Sequence, residues 1–282
     1  MTIVVFVAGE LDEHRFKKIC LPTINRFADE SCHKLVVVSP TEIEVDSHLD
    51  FRVITDDKIL KKYFRKQNVS RGNTWKYQMK LKLLIHKYVE TEWYVIFDSD
   101  CYMSRGCELK DYFLPDSKIA KVNIVDYPLH VEWQISAEQF LSLPRPNKFC
   151  GVTPMIMNTA VVRHLCEEFH KELSVRGPNW TEYTLYWTYL SAKFGLDNYY
   201  DISGKNRISD CEVWHPWDTT KPKPAHPLSY VEYLELVEKN VKGVVCNSQV
   251  LMSLVQSKIQ FRRPGRFKQI DDISEIVRRI IL

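Results

Sequence analysis

An apolar run of β-favouring residues, Trp93-Tyr94-Val95-Ile96-Phe97, passes directly into two carboxylates, Asp98 and Asp100, separated by Ser99. A continuous apolar run is what a strand buried on both faces requires, and such strands belong to parallel sheets covered by helices on both sides. In open α/β sheets, ligands collect beyond the carboxyl ends of the strands. The stretch therefore constrains the chain to an α/β fold with a polar site at the end of this strand. Two Asp side chains flanking one residue suit a divalent cation, and a cation there would neutralise a diphosphate. The tripeptide alone also reads as a strand-to-turn cap without metal.

The 282 residues, 45% hydrophobic and 27% charged, have the composition of an ordinary globular protein, and one domain over 1–282 is expected. A net charge of +3 argues against a nucleic-acid partner. The 8 cysteines, at 20, 32, 101, 107, 150, 166, 211 and 246, form no C-x-x-C pair, so buried free thiols are expected rather than a zinc ribbon or a disulfide framework. The N-terminus enters Ile3-Val4-Val5-Phe6-Val7 at once, with no signal peptide or integral membrane segment. A cytoplasmic location follows as an expectation. The oligomeric state does not.

Ile3 to Ala8 reads as a first buried strand, with Gly9-Glu10 as the turn at its carboxyl end. Asp12 caps a helix from Glu13 to Ala28, which Pro22 kinks or ends. Leu35 to Val38 and Phe51 to Ile54 are the next strands, the latter leading into Asp56 and a basic helix from Lys58 to Lys66. No G-x-G-x-x-G follows the first strand, so this is not a dinucleotide site. Asn73 or Thr74 caps a helix running to Tyr88, whose N-terminus, with Arg71, Lys76 and Lys80 nearby, favours an anion. Arg71 and Lys76 read equally as solvated, and Lys80 and Lys82 are expected on a solvated face with Trp75, Met79 and Leu83 in the core.

Beyond the aspartates, Ile119 to Val125 reads as a strand and His130 to Asn147 as an irregular loop. Thr159 to Leu173 has helical periodicity, and so does the aromatic run from Trp180 to Leu190, capped by Thr181 with Glu182 in its first turn. Helical spacing puts most of those aromatics in the core. Further on lie a helix from Tyr230 to Lys242, a strand Val244-Val245-Cys246, a helix through Ser257, and a terminal amphipathic helix opened by a capping box of Asp272 and Glu275.

Asp98-Ser99-Asp100 after its apolar strand resembles the DxD motif of glycosyltransferases with the GT-A fold. The stretch Cys211 to Pro222 resembles the C-terminal H-x-x-G-x-x-K-P-W motif of retaining galactosyltransferases and of glycogenin. His215, Lys221 and Pro222 match it, while Asp218 stands in place of the Gly and Lys223 in place of the Trp. The resemblance implies a Rossmann-like GT-A fold, a mostly parallel central sheet flanked by helices. Residues 1–125 would form the nucleotide-sugar and metal half, and 126–282 the acceptor half with the C-terminal helix. It implies metal-dependent transfer of a sugar from a nucleotide-diphosphate sugar, a UDP-sugar, to a hydroxyl of a glycan or small acceptor.

In that scheme Ala8, Gly9 and Asp56 meet the nucleotide, and Arg71, Lys76, Asp98 and Lys221 meet the rest of the donor. Asp98, Asp100 and His215 would hold Mn²⁺ or Mg²⁺. Glu182 would face the acceptor as general base, its plain alternative being a first-turn helix carboxylate. The segment 130–147 would form a loop over the acceptor. Two other readings are a sugar-phosphate nucleotidyltransferase, against which stands the missing Gly-rich, Arg- and Lys-bearing loop after the first strand, and a noncatalytic carbohydrate-binding protein of the same fold.

Overall fold

A computed structural model describes residues 1–61, 74–99, 101–103, 108–125, 128, 130–151, 153–174, 179–206, 208 and 244–245. The apolar runs form strands β1 (Thr2–Phe6), β2 (Lys34–Ser39), β3 (Asp50–Thr55) and β4 (Trp93–Asp98). With β8 (Met155–Asn158) they make a five-stranded sheet of order β3-β2-β1-β4-β8. The first four strands in that order run parallel and β8 is antiparallel to β4. Residues Ile3, Val4, Val5, Val95, Ile96 and Phe97 have no exposed surface, as continuous apolar runs covered on both faces demand. The register sets Phe6 beside Asp98, so the carboxyl ends of β1 and β4 reach one edge together.

Between β1 and β2 the chain is helical in three consecutive pieces: α1 (Glu10–Arg15), a π-helical turn (Phe16–Cys20) and α2 (Leu21–Phe27). Pro22 does not end the helix. It stands in the first turn of α2, directly after the π turn, where the wider backbone accommodates a residue that lacks an N–H and crowds the preceding turn. The expected basic helix begins at Asp56 as α3 (Asp56–Lys61), and residues 62–66 lie outside the described residues. Helix α4 (Thr74–Leu84) continues through a 3₁₀ turn (Ile85–Tyr88) to the end expected from its periodicity.

After β4 come β5 (Tyr102–Met103), α5 (Leu109–Tyr112), β6 (Ile124–Val125), α6 (Val131–Leu141) and β7 (Phe149–Cys150). The expected strand over 119–125 pairs as a strand only at β6, antiparallel to β7, while Ala120 makes single bridges to Phe113 and Tyr200. The segment 130–147 is not an irregular loop, because α6 occupies most of it. Its inward positions are Gln134, Ala137 and Leu141. The buried Gln134 hides the helical period, and its amide is satisfied by donating to Thr188 Oγ1 at 2.9 Å and Glu138 Oε1 at 3.0 Å. Ser142, in the left-handed region at φ 52, closes the helix ahead of Pro144 and Pro146.

The helix expected after β8 is divided into α7 (Thr159–Glu168) and α8 (His170–Ser174). Asn158 caps α7 by accepting from the N–H groups of Ala160 and Val161. The aromatic helix is α9 (Glu182–Lys193), opened by a reciprocal Thr181–Thr184 cap. As expected, its aromatics are core: Tyr186 accepts from the Asn158 N–H at 3.0 Å, and Trp187 donates to the Lys148 carbonyl at 2.7 Å. The expected strand at Val244-Val245 forms β9, antiparallel to β5. The helices expected over 230–242, 247–257 and 272–281 lie outside the described residues. Among the described residues no helix is long and apolar enough to cross a membrane. Cys20, Cys32, Cys101, Cys150 and Cys166 are free thiols.

Candidate functional site

Residue 82 sits on α4 between Leu81 and Leu83, both buried, and its own side chain is only 3% exposed. A lone ammonium in such a place costs several kcal/mol of lost hydration. Here Lys82 Nζ lies 2.9 Å from Asp98 Oδ1, at the end of β4, and 3.0 Å from Glu182 Oε1, at the start of α9. It also stands 5.3 Å from the ring centre of Tyr183 and 6.0 Å from that of Phe6, within reach of cation–π attraction. Burial works against the charge, but Asp98 and then Glu182 outweigh it, and the Lys82 pKa is held well above its ordinary value. The sequence reading of Lys82 as solvated is therefore overturned. Lys80 is also buried, with burial pushing its pKa down to about 8.

Asp98 is fixed at both oxygens. Oδ1 takes the ammonium, and Oδ2 accepts from the Thr153 hydroxyl at 2.9 Å. With the Thr153 proton directed at Asp98, the neighbouring Tyr183 hydroxyl donates to Thr153 Oγ1. The Asp98 side chain nevertheless keeps 36% of its surface exposed, so one edge of the carboxylate remains open. Glu182 has no exposed surface. Its Oε1 pairs with Lys82 without hydrogen-bond alignment, and neither oxygen has a hydrogen-bond donor among the described residues. Burial raises the Glu182 pKa, Lys82 opposes that, and the Asp98 charge adds to it. The expectation that Glu182 faces an acceptor is not met: the first-turn position and the N-terminal dipole are as read, but the side chain points into the buried cluster.

Beside this cluster, across Phe6, a cavity of about 180 Å³ opens over the carboxyl ends of β1 and β2. Phe6, Val38 and Leu81 supply apolar wall, with Ala8, Ser39, Asp56 and Tyr77 at its margins. Burial pushes the Tyr77 hydroxyl to about 12, with the charges of Asp56 and Asp57 adding to it. Burial also raises the Asp56 carboxyl, against a hydrogen bond from the Asp57 N–H. Of the residues expected to meet a nucleotide, Ala8 and Asp56 line the cavity, whereas Gly9 is exposed just past it and does not. Lys76 is half-buried on α4 and is not among the lining residues either. Arg71, Asp100, His215 and Lys221 lie outside the described residues. On the far side of Tyr183, a narrow cleft of about 20 Å³ is lined by His130, Trp133, Gly151 and Thr181.

A family model matches residues 8–276. The chain belongs to that family, DUF6492, a family of unknown function. The DUF6492 segment contains the whole Lys82–Asp98–Glu182 cluster and the cavity wall from Ala8 onward. No curated protein sequence matches the chain. Among solved structures, it is similar to mouse xyloside xylosyltransferase 1 in its apo form, at 13% identity over 72% of this chain and 85% of that one, TM-score 0.36. It is also similar to the galactosyltransferase LgtC in complex with donor and acceptor sugar analogues, at 10% identity over 66% of this chain and 69% of that one, TM-score 0.38.

Asp98 does not fit a divalent cation as it stands. Each oxygen already takes one partner, and the ammonium 2.9 Å from Oδ1 repels a second cation that approaches the remaining open edge. Among the described residues no group of three or more His, Cys, Asp or Glu could hold a metal ion. Lys82, Thr153 and Tyr183 were all missed by the sequence reading. For Lys82 one signal was present: a lysine enclosed by Leu81, Leu83, Leu84 and Ile85 has little solvated helix face to occupy.

Proposed function

We propose that this protein transfers a glycosyl group from a nucleotide-diphosphate sugar, a UDP-sugar in the first instance, to a hydroxyl of a glycan or small acceptor. The observation that carries this is the juxtaposition across Phe6 of an apolar cavity at the carboxyl ends of β1 and β2 with a rigidly held, half-open carboxylate at the end of β4. Ligands of open α/β sheets bind at that edge. At about 180 Å³ the cavity is smaller than a whole-ligand pocket, so it suits a single flat ring such as a pyrimidine base, with Asp56 as polar anchor and Tyr77 beside it.

The rest of the donor then extends toward Asp98. In the reaction the bond from the anomeric carbon to the diphosphate oxygen breaks, and the acceptor oxygen bonds to that carbon as its hydroxyl gives up its proton to solvent water. The nucleoside diphosphate leaves with the bonding pair. Asp98, oriented by Lys82 and Thr153, accepts hydrogen bonds from donor hydroxyls. Arg71, Lys76 and Lys221 belong to the diphosphate side of this reading. Asp100 and His215 are the residues it gives to a Mn²⁺ or Mg²⁺ ion, which when bound would offset charge on the diphosphate. Glu182 serves by holding Lys82 and is not assigned the base.

A panel of nucleotide sugars incubated with the protein and Mn²⁺ and followed by proton NMR tests this reading. Slow hydrolysis of at least one donor to free sugar and nucleoside diphosphate is expected. Pyrophosphate release would instead mark a nucleotidyltransferase, and an untouched panel would leave the enzyme reading without support.

A further inference from the structure

The buried Lys82 was expected on a solvated helix face, yet its ammonium is enclosed between two carboxylates and two aromatic rings. It touches two carboxylates from elements distant in sequence, at 2.9 Å and 3.0 Å, with 3% of its side chain exposed. We infer that Lys82 is a positioning residue that acts as a built-in cation for Asp98, keeping divalent metal ions off that carboxylate and reserving its open edge for hydroxyl groups. This inference rests on the proposed nucleotide-sugar site and goes beyond it by assigning what Asp98 does there.

The argument is geometric. A metal ligand oxygen must let a divalent cation approach to about 2.0–2.2 Å, and one lone-pair direction of each Asp98 oxygen is already taken, Oδ1 by Lys82 and Oδ2 by Thr153. A cation on the exposed edge of Asp98 would stand across one carboxylate from the ammonium and be repelled by it, with water screening the exposed edge but not the buried Lys82 side. Lys82 cannot swing away, because Phe6 and Tyr183 flank its head and Glu182 holds its other side. Asp98 thus presents a carboxylate whose charge is partly spent and whose plane is fixed, which suits neutral hydroxyl donors. Glu182 completes the device from the inside: it is the second carboxylate that holds the ammonium in place.

The test titrates Mn²⁺ alone, without nucleotide, into the folded protein by calorimetry. In the double variant Lys82→Met with Glu182→Gln the formal charge of the cluster stays at −1, since one cation and two carboxylates become one carboxylate. A change in Mn²⁺ affinity therefore reports the lost contact and not the net field. The double variant should bind Mn²⁺ about tenfold or more tighter than wild type, a gain that disappears when Asp98→Asn is added. In the wild-type background Asp98→Asn should leave Mn²⁺ affinity within about twofold, and this arm decides the matter if the double variant fails to fold. Absence of any gain in a folded double variant, a gain that survives Asp98→Asn, or a loss of about tenfold on Asp98→Asn alone would each overturn the inference. A purely structural role for Lys82 predicts a lower melting temperature with no gain of metal affinity. Failure of the donor panel would remove the glycosyltransfer reading and leave this result standing on its own.

Discussion

On the β2 side of Phe6 the cavity is walled by Val38, Leu81 and the ring of Tyr77, whereas on the β4 side three charged groups meet, Lys82 and Glu182 shut off from water and Asp98 open along one edge. The same helix serves both. Leu81 faces the cavity and Lys82, one position on and 100° further round α4, enters the cluster. Apolar walls interact with anything of the right shape, so a change there alters what can bind and leaves the scaffold intact. Charges in a buried cluster compensate one another, so removing one leaves the others without a partner. The open side is where affinity should be editable, and the closed side is where stability is staked.

The largest effect that would sharpen this contrast is expected from Lys82→Met, which leaves two carboxylates buried together. Urea denaturation should report a loss of about 3–5 kcal/mol, most of it recovered when Glu182→Gln is added. Simple additivity of the two substitutions would break the picture of a mutually compensating cluster. Next comes Thr153→Val, which removes the hydroxyl that Asp98 Oδ2 accepts from while nearly preserving volume. A loss of about 1.5–3 kcal/mol is expected, the range of hydrogen bonds to charged groups, and a cost indistinguishable from zero would mean that Oδ2 finds water instead.

These two residues also mark where the sequence could not be read, in contrast to the strand that ends at Asp98. The run Trp93 to Phe97 is legible because burial on both faces writes itself as unbroken apolar residues, and the carboxylate at its end follows from the polarity of the strand terminus. The position of Ala8 is legible for the same reason, since it follows the buried strand β1, whereas Asp56 follows β3, whose Asp50, Phe51 and Arg52 are exposed, and it is placed by the family resemblance. Lys82 is not, because its stabilising partners stand 16 and 100 positions away and nothing local announces them. Thr153 and Tyr183 depend on the same long-range closure. Helix α6 was hidden for a related reason: Gln134 occupies a core position, and its donors are satisfied partly by Thr188, on another helix. Side chains whose burial is made tolerable by distant partners look exposed in a sequence.

On the cavity side, Ala8→Phe should fill the space over the carboxyl ends of β1 and β2. It should weaken nucleoside-diphosphate binding by about tenfold, equivalent to 1.4 kcal/mol, while the melting temperature stays within about 2 °C. A large drop in melting temperature would show that the two sides of Phe6 are not separable. The smallest expected effect is in the pH dependence of Glu182→Gln. The Glu182 pKa is raised in the folded state, so its contribution is fully present below the ordinary carboxylate value of 4.5 and is lost as pH rises through the folded value. The stability of Glu182→Gln relative to wild type should therefore improve as pH increases above 4.5, read from urea midpoints at matched slopes. A difference that stays flat across that range would mean Glu182 remains ionised throughout.

The central claim, that the edge formed by β1, β2 and β4 receives a nucleoside diphosphate, is tested most directly by titrating UDP into the protein in the presence of Mn²⁺ by calorimetry, with Ala8→Phe as the paired control. The account predicts saturable one-to-one binding to wild type that is weakened about tenfold in a folded Ala8→Phe variant. Undetectable binding to wild type, or equal affinity in both proteins, would contradict it.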